Sequence, residues 1–268
     1  MTYRLAVGIL SDNGIENAEH EAALLFSEII GLDELWIRTN ADTEISSPEL
    51  EKALSRRASR EPLQHILGKW YFWREEYEVS RDCLIPRADS ETIVDYAVKN
   101  LPAGARFLDL CTGSGCLAVS TLASRPDCTA IAVDISDAAL ALAKKNALRN
   151  GVADRIEFIS CDILKEDLCD IGAFDAIISN PPYIPTRDLA SLSPELAYEP
   201  AIALDGGDDG LIFYRRILDA YRNRLKDGGV FIFEIGYDQG DALRALGGDG
   251  TRIYKDFGKN DRMAIINK

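Results

Sequence analysis

Five short apolar runs constrain this chain most: Phe107–Leu110, Thr129–Val133, Ile156–Ile159, Ala176–Ile178 and Val230–Phe233. Helical segments such as Ser136–Asn150 and Leu211–Lys226 separate most of them. Strands joined through helices lie side by side and point the same way, because a parallel pair needs a long crossover. The alternation therefore predicts an α/β domain with a largely parallel sheet. Two late runs, Arg252–Tyr254 and Met263–Ile266, are close enough to pair as antiparallel neighbours.

Ahead of this alternation the pattern differs. Residues 1–68 carry helical periodicity: Ala22, Leu25, Phe26, Ile29 and Ile30 fall on one stripe of Glu16–Ile30, and Gly31 ends it. Ser47 and Pro48 read as an N-cap and first helical residue, followed by an apolar face of Leu50, Ala53 and Leu54. Between 69 and 80, Trp70, Tyr71, Phe72, Trp73, Tyr77 and Val79 suggest paired strands. Cys83–Asp89 reads as a loop, broken by Pro86. The expected division is a helical domain over 1–72, a linker and hairpin over 73–89, and the α/β domain over 90–268.

Acidic side chains outnumber basic ones by 44 to 30, a net charge of -14 over 268 residues. That balance argues against reliance on non-specific phosphate attraction. The six cysteines form no Cys-x-x-Cys pair, and His20 and His65 are the only histidines. Neither a metal site nor a disulfide framework is expected. The apolar run Leu5–Leu10 is too short to span a bilayer, no signal peptide is read, and the expected setting is the cytoplasm.

The strand Arg106–Leu110 opens into Cys111-Thr-Gly-Ser-Gly-Cys116, with a helix from about Leu117. Gly113 and Gly115 can take backbone angles and close approaches denied to other residues. The spacing Gly113-x-Gly115-x-x-Ala118 satisfies the dinucleotide fingerprint. The next strand ends at Asp134, 21 residues after Gly113. An acid there accepts hydrogen bonds from ribose hydroxyls, or else caps the helix that starts nearby. Turn and acid together point to a nucleoside ligand, without separating a nicotinamide cofactor from S-adenosylmethionine.

The strand Asp175–Ser179 runs into Asn180-Pro-Pro-Tyr183. Two prolines stiffen the backbone and supply no donors, which leaves the carbonyls of Asn180 and Pro181 free of local pairing. Asn180 adds an acceptor and two donors, and Tyr183 a flat face. Such a group can clamp a planar NH2: acceptors take its hydrogens and the ring covers it. The long connection Ile184–Asp209, rich in Pro and Gly, is of a length that points to a functional segment.

Asn180–Tyr183 resembles the NPPY signature of methyltransferases that alkylate amide or exocyclic amino nitrogens with S-adenosylmethionine. Further segments resemble the release-factor glutamine N5-methyltransferases of the HemK/PrmC type. They are Pro62–Gly68, Leu84–Arg87, Leu108–Gly115, Asn180–Pro185, Glu199–Gly207 and Phe233–Gly236. The resemblance covers nearly the whole chain. It implies a Rossmann-like sheet with a small N-terminal helical bundle that docks the substrate. It also implies methyl transfer to the glutamine N5 of the Gly-Gly-Gln motif in release factors, with S-adenosylhomocysteine as product.

The resemblance also implies residue roles. Cys111, Thr112, Gly113, Ser114 and Gly115 would cradle the methionine part of the cofactor, Asp134 the ribose, and Asp162 and Ile163 the adenine. Asn180 would touch cofactor and target amide, with Pro181, Pro182 and Tyr183 completing the glutamine pocket. Cys111 stands where many relatives have glycine.

The reaction calls for positioning rather than a strong base, since the sulfonium is already a strong electrophile. Glu234 reads either as a polar contact behind the pocket or as a cap or surface carboxylate. Arg87 reads as orienting the active-site loop or as pairing with Asp89 or Glu91. The basic helix Tyr214–Lys226 reads as a solvated face rather than an RNA patch. The nearest alternative is a nucleic-acid amino methyltransferase acting on adenine N6 or guanine N2, which would use the same clamp on a flipped base. A nicotinamide-dependent oxidoreductase leaves Asn180–Tyr183 unexplained, and a non-catalytic adaptor leaves the whole site unexplained. A monomer with no membrane association and no stable nucleic-acid binding is expected.

Overall fold

The computed structural model describes residues 1–256 and 258–268. The chain divides into two compact units: Met1–Lys69 with Ser193–Tyr198, and Trp70–Leu192 with Glu199–Lys268.

The first unit holds helices α1 (Tyr3–Asp12), α2 (Ala18–Ile30), α3 (Glu34–Thr39), α4 (Pro48–Ala58) and α5 (Leu63–Leu67). Short polar residues start three of them. Thr2, Asp33 and Ser47 accept from the backbone N–H three residues on, satisfying a donor the helix leaves open. Pro48 follows Ser47 in the first turn of α4, and Gly31 ends α2 in the left-handed region. Ala6, Leu10, Ala22, Leu25, Phe26, Leu50 and Leu54 are buried between the helices. The excursion Ser193–Tyr198 is fastened to this unit by polar contacts. Glu195 pairs with Arg57 at 3.3 Å and Arg60 at 2.8 Å, and the Tyr198 hydroxyl donates to the Ser59 carbonyl at 2.8 Å.

The second unit opens with strands β1 (Lys69–Phe72) and β2 (Glu75–Glu78), which pair with each other. Then follow α6 (Glu91–Asn100), β3 (Arg106–Leu110), α7 (Cys116–Ser124), β4 (Thr129–Asp134), α8 (Asp137–Arg149), β5 (Ile156–Ser160) and β6 (Phe174–Ser179). The last elements are α9 (Ile212–Tyr221), β7 (Leu225–Glu234), α10 (Gly240–Gly247), β8 (Arg252–Lys255) and β9 (Asp261–Asn267). Among the described residues the main sheet has seven strands in the order β5-β4-β3-β6-β7-β9-β8. The pairs from β5 to β7 are parallel, and β9 runs antiparallel to both β7 and β8.

Side chains alternate across the strands, so the sheet builds two cores. Phe107, Ala130, Ala132, Ala176, Ile178 and Ile232 pack with Ile93, Val94, Leu117 and Leu122 of α6 and α7. Leu108, Leu110, Ile131, Val133, Ile177 and Phe231 face the other way, onto Tyr214, Ile217 and Tyr221 of α9 and Leu243 of α10. The largely parallel sheet is the one the alternating runs predict, and the fold is Rossmann-like, as the resemblance implies.

One expectation is corrected. The helix read over Leu211–Lys226 stops at Tyr221, and Leu225 already pairs with Phe174 in the sheet. Lys226 is therefore a strand residue and pairs with Asp175 at 2.7 Å. Its basic neighbours are also engaged locally: Arg215 with Asp209, and Arg216 with Asp167 and the Ile163 carbonyl. No helix among the described residues is long and apolar enough to cross a membrane.

Candidate active site

Strand order reverses at β3: β4 lies on one side and β6 on the other. Such a switch point leaves a crevice at the carboxyl ends of the strands. A cavity of about 330 Å3 lies there, in the range of small-molecule sites. Its wall includes Cys111–Ser114 after β3, Asp134–Ser136 after β4, Asp162 and Ile163 after β5, and Asn180 and Pro182 after β6. Leu84–Arg87, Ser90, Pro200, Ile202 and Phe213 complete one side.

The turn after β3 is held by hydrogen bonds at nearly every step. The Thr112 N–H donates to the Val133 carbonyl at 2.9 Å and its hydroxyl to Asp109 at 2.6 Å. The Gly113 N–H donates to Asp134 at 2.8 Å, and the Asn146 amide to the Ser114 carbonyl at 2.9 Å. Gly113 has φ 53° and Gly115 φ 81°, both in the left-handed region. Cys111 shares that region at φ 59°, a conformation that glycine adopts without steric cost.

Gly115 stands apart from the other turn residues. It is not on the cavity wall; a Cβ there would sit 3.1 Å from the Ala143 Cβ. Its bareness lets α7 approach α8. Pro181 and Tyr183 likewise stand off the wall that Asn180 and Pro182 form.

Asp134 accepts from the N–H groups of both Gly113 and Ser136, the latter at 3.0 Å. The cap of α8 is Ser136, which accepts from the Ala139 N–H. Asp134 is thus a strand-end acid and not the cap itself. Burial raises its pKa, against the pull of these N–H donors.

Behind the tetrapeptide lies a buried carboxylate. Glu234 is 2% exposed at the end of β7. The Ser90 hydroxyl donates to one of its oxygens, and the Tyr183 hydroxyl to the other at 3.3 Å. The Asn180 Nδ2 donates to Ser90 Oγ at 3.2 Å. Burial pushes the Glu234 pKa up to about 7, opposed by Ser90 and the Arg262 charge. Burial also keeps the Tyr183 phenol protonated and therefore a donor. The main chain of Tyr183 is fixed too: its carbonyl accepts from Gln239 Nε2 at 3.1 Å, and a Cβ at Gly210 would fall 2.3 Å from the same oxygen.

Arg87 pairs with neither Asp89 nor Glu91. Its guanidinium meets Glu199, whose other oxygen accepts the Ile85 N–H at 2.9 Å. Asp89 pairs with Arg262, and Glu91 accepts the Trp73 N–H. Glu199 thus ties Ile85 and Arg87 to the segment that carries Pro200 and Ile202. The long connection is itself stitched at its base. The Ile184 N–H donates to the Leu204 carbonyl at 3.0 Å, and the Gly206 N–H to the Ile184 carbonyl at 2.8 Å.

Sequence reading missed Ser90, Asp109, Asn146 and Gln239. Asp109 carried a signal, as an acid inside an apolar strand. It is fully buried, and burial pushes its pKa up to about 7. Ser90, Asn146 and Gln239 are polar residues of ordinary appearance whose partners lie far along the chain.

Comparisons with known proteins agree with this geometry. Residues 2–68 match the PrmC N-terminal domain model, and residues 90–202 the methyltransferase small domain model. A release factor glutamine methyltransferase of Geobacter sulfurreducens is 42% identical over 243 residues, covering 89% of this chain and 84% of that protein. One from Caulobacter vibrioides is 38% identical over 266 residues, covering 96% and 91%. Among solved structures, the hMettl16 catalytic domain in complex with the MAT2A 3'UTR hairpin 1 superposes with TM-score 0.57 at 17% identity. That match covers 82% of this chain and 80% of that one. A methyltransferase from Pyrococcus furiosus gives 0.52 at 18%, covering 72% and 88%. At those identities the structural likeness speaks for the fold alone. The sequence relatives span both units of the chain, and on their evidence it belongs to the release factor glutamine methyltransferase family.

Proposed function

We propose that this chain transfers a methyl group from S-adenosylmethionine to the side-chain amide nitrogen (N5) of the glutamine in the Gly-Gly-Gln motif of peptide chain release factors. The observation that carries this reading is Asn180. It lies on the wall of a nucleoside-sized cavity, with its NH2 committed to Ser90 and its carbonyl oxygen left to accept.

The residues present suit the cofactor. The glycine turn and the first residues of α7 offer backbone groups to an amino-acid end. Asp134 offers acceptors to a ribose, and Asp162 and Ile163 a mixed edge to an adenine. When bound, S-adenosylmethionine supplies a methyl on a positive sulfur that leaves as a neutral thioether. Asn180 Oδ1 and the Pro181 carbonyl would accept the two N–H bonds of the glutamine amide. They aim its lone pair and stabilise positive charge growing on nitrogen. Tyr183 and Pro182 confine the amide plane. The proton lost afterwards goes to solvent, so no strong base is needed.

The connection Ile184–Asp209, with Ile202 exposed, suits the release-factor segment around the glutamine. The helical unit suits docking of the rest of that protein. A cytoplasmic monomer with no stable nucleic-acid binding is the setting this implies. Labelled cofactor should transfer methyl to a release factor and not to DNA or RNA offered in parallel. Label in nucleic acid, with none in the release factor, would reverse the reading.

A further inference from the structure

We infer that Glu234 is a positioning residue for the acceptor amide, acting through Ser90 on Asn180 and directly on Tyr183. This rests on the proposed reaction and adds to it the group that sets the clamp's polarity.

A carboxamide has two ends of nearly equal shape, and only its hydrogen-bond partners decide which way it faces. Ser90 Oγ carries one proton. The ionised carboxylate of Glu234 can only accept, so it draws that proton to itself. Ser90 is left with lone pairs toward Asn180, which select the NH2 end. Oδ1 then remains for the substrate. The second oxygen of Glu234 takes the Tyr183 proton in the same way and holds the ring. One charge therefore fixes both halves of the clamp.

Neutralising Glu234 removes this command. A carboxylic acid or a glutamine has a donating end, so one of its two partners must turn round. If Ser90 turns, its proton points at Asn180 and favours the opposite carboxamide orientation. The substrate would then meet an NH2 where it needs an acceptor.

The groups facing Glu234 are Arg262 on β9, Asp89 ahead of α6, Tyr183, Tyr214 on α9 and Cys116 at the start of α7. Arg262 is shared with Asp89 and Asp256, each at 3.3 Å. It offsets part of the burial and leaves the carboxylate able to change charge near neutrality.

The test uses the full chain with a release factor and saturating S-adenosylmethionine over pH 6–9. Wild-type kcat should fall as pH drops below about 7. Glu234→Gln should lower kcat about 100-fold, the scale of a misaligned reactant, and flatten the pH profile. Its KM for the cofactor should stay within about threefold, a change worth under 1 kcal/mol. Ser90→Ala should lose kcat in the same way, and Ser90→Thr should recover most of it.

A second readout needs no substrate. The Asn180 side-chain NH2 resonances should shift with a midpoint near pH 7 in the wild type and not in Glu234→Gln. A Glu234→Gln enzyme with wild-type kcat and pH profile would overturn the inference, as would an Asn180 resonance that ignores pH. If Glu234→Gln fails to fold, Ser90→Ala with unchanged kcat overturns it equally. A wild type that shows the Asn180 titration but does not methylate release factors counts against the proposed reaction and not against this relay.

Discussion

The carboxylate of Asp134 accepts the Gly113 N–H at 2.8 Å, so the acid that ends β4 and the glycine turn that follows β3 form one unit. Its other oxygen takes the Ser136 N–H. Each oxygen keeps a further lone pair for a ribose hydroxyl. Asp134→Asn turns one acceptor into a donor that faces an N–H. The cofactor Kd should rise about 100-fold, consistent with two charge-assisted hydrogen bonds at roughly 1.5–3 kcal/mol each, partly retained. Isothermal titration measures this; a Kd within about threefold of wild type would contradict it.

Asn180→Ala removes the acceptor proposed for the substrate amide and leaves the glycine turn and Asp134 in place. We expect kcat to fall about 10²–10³-fold, as when one preorganised hydrogen-bonding group is lost at a reacting centre. Cofactor affinity should change by less than about tenfold. Single-turnover transfer separates the two effects, and near-normal transfer would remove Asn180 from the mechanism.

Gly210 abuts the main chain of Tyr183. Its φ is +74°, and a Cβ would lie 2.3 Å from the Tyr183 carbonyl oxygen and 2.8 Å from Gln239 Nε2. Gly210→Ala should cost about 2–4 kcal/mol in urea unfolding and lower kcat by displacing Tyr183. Gly228→Ala is the matched control. It has φ +78° with nothing within 4 Å, so its cost should be only about 1 kcal/mol. Equal losses in the two variants would show that backbone strain, and not the contact with Tyr183, dominates.

Stability should fall as pH rises from about 5 to 8. Asp109 and Glu234 both have folded pKa values pushed up to about 7 by burial, above the unfolded 3.8 and 4.5. Between these limits the folded state binds more protons than the unfolded chain, so raising pH favours unfolding, by on the order of 2–3 kcal/mol for each group. Asp127, Asp162 and Asp209 shift downwards, and their contribution is lost only as pH falls below about 4. Glu234→Gln should flatten the decline between pH 5 and 8. Melting temperatures across that range check it; a wild-type stability that rises toward pH 8 would contradict it.

The sheet was legible in the sequence because its central strands β3, β4 and β6 bury both faces and so read as short apolar runs. Gly113 and Asp134 were legible because a turn and a strand-end acid keep a spacing set by one strand–helix–strand unit. The packing use of Gly115 was not legible, because the approach of α7 to Ala143 that its bareness allows depends on a residue 28 positions away. The end of α9 at Tyr221 was hidden because the basic residues that follow continue the helix's composition while the backbone tightens into a 3-10 turn at Arg222–Arg224 and enters β7 at Leu225. The Ser90–Glu234–Tyr183 network joins positions 144 and 51 residues apart, and no local pattern marks such a pairing. The same holds for Arg87 and Glu199, whose meeting depends on how the loop before α6 lies against the long connection after β6.

The most direct test of the central claim is fragmentation mass spectrometry of a release factor after incubation with the full-length protein and S-adenosylmethionine. The account predicts a single added methyl on the side chain of the Gly-Gly-Gln glutamine, absent when Asn180→Ala replaces the wild type. A methyl on any other residue, or an unmodified release factor beside methylated nucleic acid, would contradict it.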